Sequence, residues 1–196
     1  ADPDEVVRSV FDLSTERSEL VELLGDGDGS RVDPPDGCSA ETRLVALREQ
    51  MLGWYDHGEL DTALAVSERL ADRAQAADLD PDASDRFVAR SHRNRGEVAE
   101  ERGDADLARD HFERSLELAE RADDDRSVIA SHNALAWIDI KTDSYDDAGR
   151  HLDAAVELGA DRPPTTTYAT TLYYRGELAR HRGDLGEAER WLGETV

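Results

Sequence analysis

The sequence of 196 residues predicts an all-α fold, an α-solenoid assembled from helix–turn–helix repeats. A ten-residue pattern recurs along the chain: residues 95–104 read RGEVAEERGD and residues 175–184 read RGELARHRGD, with seven identical positions at a separation of 80. A related segment, residues 135–144, lies halfway between these two copies. Within each copy, small and apolar residues recur at steps of three and four, the spacing of one helical face. Repetition of such units at a fixed period predicts stacked helix pairs.

The composition argues against several classes of function before any motif is considered. The chain has 46 acidic against 23 basic residues, so its formal net charge is −23. Binding to nucleic acid or to an anionic membrane surface needs clustered basic residues, and we expect neither from this segment. No apolar run reaches the length of about 18 residues that a membrane span needs. A single cysteine, Cys38, excludes a disulfide framework within the chain.

The types of acidic and basic residues indicate adaptation to a salty solvent rather than binding of a ligand. Asp outnumbers Glu, and Lys141 is the only lysine among the basic residues. This composition resembles that of proteins from extreme halophiles, in which molar salt shortens the Debye length to about 3 Å and screens carboxylate repulsion. We therefore expect a cytoplasmic, archaeal protein whose acidity is an adaptation to salt. The alternative is an acidic interaction protein in ordinary buffer.

The repeat unit has a register of 40 residues that assigns a role to each recurring position. In the first helix a small residue allows close approach of a second helix, and a turn Gly then ends the helix. An Asp after the turn caps the second helix, which carries an Ala, a bulky apolar residue and, in one copy, the additional apolar Leu107. The small residues are Gly96, Ala136 and Gly176, the turn glycines are Gly103 and Gly183, and the capping residues are Asp104 and Asp184. In the second helix the alanines are Ala63, Ala108, Ala148 and Ala188, and the bulky residues are Phe112, Leu152 and Leu192.

An earlier copy begins near Gly58 and is displaced by 45 residues rather than 40. The residues 80–85, DPDASD, are rich in Asp and contain a Pro, which predicts a loop that holds the additional residues.

These features resemble the tetratricopeptide repeat family over residues 41–196. The small residue, the Gly-Asp turn, the Ala and the bulky residue match that family's pattern at the positions given above. The period of 40 exceeds the family's usual 34 and resembles its branch with longer helices. The third copy departs from the pattern, because Asp143 and Ser144 replace the Gly-Asp pair. The resemblance implies a right-handed superhelix in which the first helix of each pair lines a concave, protein-binding face.

The chain divides into three predicted regions. Residues 1–24 carry two short amphipathic patterns around Ser14 and Thr15, and predict two helices that either cap the solenoid or end a preceding domain. Residues 25–40 are rich in Gly, Pro and Asp and predict a flexible linker. Residues 41–196 hold about four repeats, the last incomplete. Since the fourth repeat stops early and no Met begins the sequence, we expect a segment of a longer protein.

No motif predicts catalysis, a cofactor or a metal site, so we expect that this segment is not an enzyme. Residues 26–30 begin like a calcium-binding loop, but Arg31 and Gly37 stand where that loop needs Gly and Glu. Histidines recur at the repeat period without the partners of a zinc site, which predicts structural roles in helix packing. Ser91 precedes one of them, but adjacent helical positions point about 100° apart and form no nucleophile–base pair. These histidines are His92 and His132, and His111 and His151.

The expected function is a scaffold that binds a protein or peptide partner, including the sensing module of a larger regulatory or signalling protein. The alternative is the repeat region of a multidomain enzyme, such as an NTPase, whose catalytic domain lies outside this segment. Self-association through the open C-terminal repeat is a further use of such a surface.

The resemblance marks twenty positions on the concave face, and their steps of three and four make one stripe per helix. Five are basic and five acidic, whereas twenty residues at the average charge of the chain would carry about −2.3. The stripes also include apolar positions such as Val45 and Ile140. A neutral, aromatic strip on an acidic surface is suited to a peptide, although the aromatic residues are equally explained by packing between repeats. The predicted peptide-binding residues are Arg48, Tyr55, Arg90, Arg93, Asn133, Trp137, Lys141, Tyr173 and Arg180.

Overall fold

The computed structural model describes residues 38–160 and 165–193, which form eight α-helices and no strand. The predicted helices of residues 1–24 and most of the predicted linker lie outside the described residues. Ser39 caps the first described helix by accepting a hydrogen bond from Thr42 N at 3.1 Å. The helices are α1 Ala40–Asp56, α2 Leu60–Ala76, α3 Pro81–Glu101, α4 Ala105–Arg121, α5 Asp125–Lys141, α6 Tyr145–Gly159, α7 Thr166–Arg182 and α8 Leu185–Gly193.

Each helix packs on the next along the chain, and the odd-numbered helices also contact one another: α1 with α3, α3 with α5, and α5 with α7. This arrangement places the first helices of the pairs side by side on one face. The predicted all-α solenoid of helix–turn–helix repeats is confirmed.

The turns between paired helices share one backbone geometry. Gly58, Gly103 and Gly183 have φ of +78°, +79° and +83°, in the left-handed region that Gly enters without steric cost. Asp143 takes the equivalent place in the third pair with φ of +59°, so the departure from the Gly pattern leaves the turn geometry intact. We call these four residues the turn positions.

The small residues of the first helices admit the bulky residues of the second, as the register predicts. A Cβ added at Gly96 would collide with the ring of Phe112, and one added at Gly176 would lie 2.6 Å from Leu192 Cγ. The third pair places Ala136 and the smaller Leu152 in one buried cluster. Leu107, expected in the apolar stripe of α4, is instead 45% exposed, because it lies about 100° around the helix from the buried Ala108.

The predicted loop over residues 80–85 is wrong, since α3 begins at Pro81 and is the longest described helix at 21 residues. Pro81 occupies the first helical position, where the missing N–H is not needed and the fixed φ suits a helix. Asp80 caps the helix by accepting a hydrogen bond from Ala83 N at 2.8 Å. The additional residues that separate the first copy from the second therefore lengthen α3.

Candidate binding groove

The face formed by the odd-numbered helices carries a groove of about 730 Å³. All lining residues but Phe112 lie on α1, α3, α5 and α7. The lining contains four arginines and four carboxylates, so its formal charge is zero on a chain of net charge −23. The groove is therefore a neutral strip on an acidic molecule.

The structure brings most of the predicted peptide-binding residues together in this groove. Lys141 and Arg180 do not line it: the Lys141 ammonium pairs with Glu100 and lies 5.5 Å from the Trp137 ring centre, and Arg180 pairs with Glu177 at 2.7 Å. The predicted residues that do line the groove are Arg48, Tyr55, Arg90, Arg93, Asn133, Trp137 and Tyr173.

The groove extends one helical turn farther toward the beginnings of α5 and α7 than the sequence stripe did. The stripe marked from the sequence begins at Ala130 on α5 and at Thr170 on α7. A further step of four residues leads back to Arg126 and to Thr166, so this signal was present in the sequence. Two residues expected on the concave face do not line the groove. Ile140 is buried in the core with 1% of its surface exposed, and Val45 packs against the buried cluster that contains Leu44 and Leu47. The lining residues not predicted as part of the face are Phe112, Arg126, Ser127, Ala134, Thr166, Thr167 and Tyr174.

Aromatic side chains occupy the middle of the groove between α5 and α7. The rings of Trp137 and Tyr174 are stacked, with centres 5.3 Å apart and planes inclined by 16°. Tyr173 contacts Tyr174 with centres 5.5 Å apart and remains 45% exposed, as a large side chain on an open surface. Trp137 Nε1 donates to Glu100 Oε1 at 3.3 Å, which fixes the indole against α3. Part of this cluster is packing between repeats, and Tyr173 is the part that a ligand can reach.

Asn133 is only 4% exposed although it lines the groove. Its Nδ2 donates to the carbonyl oxygen of Thr167 at 3.0 Å, which orients the amide between α5 and α7. Its Oδ1 accepts no hydrogen bond from the residues that the structure describes. A buried acceptor without a donor is unfavourable, so an N–H group of a bound molecule would stabilise this site.

Ion pairs hold several charged groups of the groove in place. Arg90 donates to Asp124 at 3.3 Å, and Arg93 donates to Glu97 at 2.8 Å on the same helix. Burial tends to raise the pKa of Asp124, but hydrogen bonds from Ser127 and the charge of Arg90 bring its pKa below the usual range. The carboxylate of Asp124 is therefore ionised at neutral pH and oriented toward Arg90.

Burial and nearby carboxylates keep two tyrosines of the groove protonated. Burial, followed by the charges of Glu100 and Glu97, raises the pKa of Tyr174 to about 12. Burial and the carboxylates of Glu97, Glu101 and Glu100 likewise hold the pKa of Tyr55 well above its usual range. Both phenols stay protonated and able to donate.

The recurring histidines pair with each other across the two helices of a repeat. His92 Nδ1 lies 3.2 Å from His111 Nδ1, and His132 Nδ1 lies 3.0 Å from His151 Nδ1. Ser91 instead bonds to α2, where its Oγ donates to the carbonyl oxygen of Ser67 at 2.6 Å. Adjacent Ser and His therefore face opposite neighbours, which agrees with the predicted lack of a nucleophile–base pair.

Residues 38–160 and 165–193 contain no group of three or more His, Cys, Asp or Glu side chains placed to hold a metal ion. None of the helices in this part of the chain is long and apolar enough to cross a membrane.

The fold and groove define a helical-repeat protein: an α-solenoid whose first helices line a concave face. Residues 87–161 match the family model described as tetratricopeptide repeat. This segment begins within α3 and includes all of α4, α5 and α6, so the second and third helix pairs are similar to repeats of that family.

Solved structures with the same fold cover almost the whole chain. BtubC (BKLC) from P. vanneervenii is 15% identical with a TM-score of 0.66, over 91% of this chain and 75% of that one. One structure of the kinesin light chain TPR-like repeats of Podosopora anserina is 18% identical with a TM-score of 0.62, over 98% of this chain and 91% of that one. A second structure of those repeats is 15% identical with a TM-score of 0.58 over the same shares. No curated protein sequence matches the chain.

Proposed function

We propose that this chain is a scaffold that binds a peptide or protein segment in the groove. The observation that carries the proposal is the neutral groove itself, with exposed Tyr173 and the unsatisfied Oδ1 of Asn133 at its centre. Aromatic side chains are frequent anchors in protein interfaces, and a buried acceptor selects for a ligand that donates. Tetratricopeptide repeats generally mediate protein–protein interactions, which supports the same function.

The finer predictions remain part of this proposal. We infer that the acidic exterior is an adaptation to molar salt in the cytoplasm of a halophile, and that the groove serves a larger regulatory protein.

The test uses a displayed library of random 12-residue peptides, selected on the folded protein and followed by fluorescence anisotropy with the selected peptides. Tyr173→Ala should weaken binding about tenfold or more, since it removes an exposed aromatic anchor from the groove. Leu107→Ala is the matched control, because Leu107 is also 45% exposed but lies on α4 outside the groove. Circular dichroism checks that both variants fold.

Two results would contradict the proposed function. One is a selection that yields no binding peptide. The other is a set of selected peptides whose affinity falls for Leu107→Ala and not for Tyr173→Ala.

A further inference from the structure

The charges of the groove are segregated along the helix axes. Its arginines precede the turn position of their own helix by 10 to 17 residues, and its carboxylates by two to six. At 1.5 Å per residue the two groups are centred about 14 Å apart. Lys141, near the end of α5, pairs with Glu100, near the end of α3, so like ends of these helices lie together. The arginine end comprises Arg48, Arg90, Arg93 and Arg126, and the carboxylate end comprises Asp56, Glu97, Glu100 and Glu101.

Helix stability does not explain this segregation. The last turn of a helix carries a partial negative charge and favours basic side chains. The helices α1 and α3 have no basic residue in the last turn, and instead place Asp56, Glu100 and Glu101 there. Arg126, the second residue of α5, likewise lies where the helix N-terminus favours an acid. These four terminal charges therefore add to the helix dipoles instead of offsetting them.

Pairing within the molecule offsets only part of the segregation. Three of the four groove arginines have a carboxylate partner: Arg48 pairs with Glu49, Arg90 with Asp124 and Arg93 with Glu97. At the other end Lys141 pairs with Glu100. Arg126 at one end and Glu101 at the other are exposed. The Glu101 carboxylate is bonded to the neutral Tyr55 hydroxyl, at 3.4 Å, and keeps its charge. A ligand with the opposite order of charges would satisfy both ends at once.

We propose that the groove recognises a peptide segment whose charges are arranged in two blocks, with its acidic block on the arginine end and its basic block on the carboxylate end. The proposal rests on the proposed function and specifies the partner of that same site. The ligand then lies along the odd-numbered helices, with Tyr173, Trp137 and Asn133 between its two blocks. Five residues of extended peptide span about 17 Å, which suits the separation of the two ends.

The experiment compares two labelled peptides of identical composition, EEEEWKKKK and EKEKWEKEK, by fluorescence anisotropy. Both are neutral, so attraction to the overall charge of the protein is the same. The measurement uses the lowest KCl concentration that preserves the circular dichroism spectrum, because salt screens the interaction. We expect the block peptide to bind at least tenfold more tightly than the alternating peptide.

Charge reversal at each end supplies the second readout. Arg126→Glu and Glu101→Lys should each weaken binding of the block peptide at least threefold and leave the alternating peptide unaffected. Arg114→Glu is the control for the first, since Arg114 is exposed on α4 outside the groove. Glu120→Lys is the control for the second, because Glu120 is also an exposed acid in the last turn of a helix but lies on α4.

Equal affinity for the two peptides would overturn the two-block proposal. It would leave the proposed function intact provided that Tyr173→Ala weakens both. Failure of both peptides to bind, while library-selected peptides do bind through Tyr173, would likewise overturn the two-block proposal alone. Failure of the designed and the selected peptides together would overturn the proposed function as well.

Discussion

His132 Nδ1 lies 3.0 Å from His151 Nδ1, so one imidazole must donate to the other and the pair is stable only when at least one ring is neutral. The pair bridges α5 and α6, and His92 and His111 repeat it between α3 and α4. At the same register the first pair of helices has the buried Leu47 and Val66. The middle repeats therefore substitute a titratable contact for an apolar one.

We predict that acidification destabilises the fold through these pairs. Burial lowers the pKa of His92 and of His132 to about 4, from 6.5 in an unfolded chain. Between these values the unfolded state binds more protons, so stability falls as the pH drops from about 6.5 toward 4. The loss by pH 5 is at most about 2 kcal/mol for each such histidine, and smaller because solvent reaches part of each ring and screens its charge.

Urea denaturation at pH 7.5 and pH 5 in molar KCl measures the effect. A variant with His132→Leu and His151→Val, which copies the apolar pair of the first repeat, should lose about half of the pH dependence that the histidine pairs contribute. The carboxylates are common to both proteins and cancel in the comparison. An unchanged pH slope in the variant would show that the pairs do not titrate as described.

We predict that Gly96→Ala destabilises the protein by about 1–3 kcal/mol, because the added Cβ collides with the Phe112 ring. Gly149→Ala is the control: the nearest atom to its Cβ would be Arg182 Nη2 at 3.5 Å, and the gain in helix propensity is up to about 1 kcal/mol. Adding Phe112→Leu to Gly96→Ala should restore stability, since the third repeat uses Ala136 with Leu152. Thermal unfolding decides the matter, and equal melting temperatures for the two glycine variants would refute the packing described.

We predict that Asp143→Gly stabilises the protein by about 0.5–1 kcal/mol. Asp143 holds φ of +59°, which costs a residue with a side chain more than it costs Gly. The hydrogen bond from the Tyr145 hydroxyl to Asp143 Oδ1 is exposed and contributes little. The reverse change, Gly103→Asp, should destabilise by a similar amount in urea titrations. Stabilisation by both changes, or by neither, would contradict the argument.

We predict that the fold requires salt. A chain with net charge −23 repels itself in dilute buffer, and molar KCl screens that repulsion. The helical signal in circular dichroism and the melting temperature should rise as KCl increases from tenths of molar to molar. Sucrose at matched osmolarity should have a smaller effect, since it does not screen charge. A melting temperature that is flat or falling with KCl would remove the basis for halophilic adaptation.

The repeat architecture was predictable because local chemistry is repeated in register. The turn glycines, the capping residues Asp104 and Asp184 and the small-to-bulky contact of Gly96 each follow from positions along the chain. The prediction failed at residues 80–85, where Pro81 and the preceding Asp80 suit a turn and a helix start equally. Whether these residues form a turn or begin a helix depends on the tertiary contacts of α3, which the local sequence does not show.

The groove was predictable in outline and not in detail. A helical period identifies which residues share a face, but the curvature of the stack decides how far along each helix that face stays open. Arg126 and Thr166 were missed for this reason, and Ile140 was misplaced because it lies at the margin of its stripe and turns into the core. The His132–His151 contact joins residues 19 apart on different helices, which no single helical period indicates.

Every packed helix pair described above joins elements that are one or two places apart in the chain. In such a molecule each helix is stabilised mainly by its contacts with neighbouring helices. The outer helices of the described stack can therefore unfold locally while the centre stays folded. Amide protons in α4 and α5 should then exchange with deuterium most slowly, and those in α1 and α8 fastest. The groove residues of α5 lie inside the slow region and those of α3 lie next to it, which gives a ligand a preformed surface at the centre of the described stack.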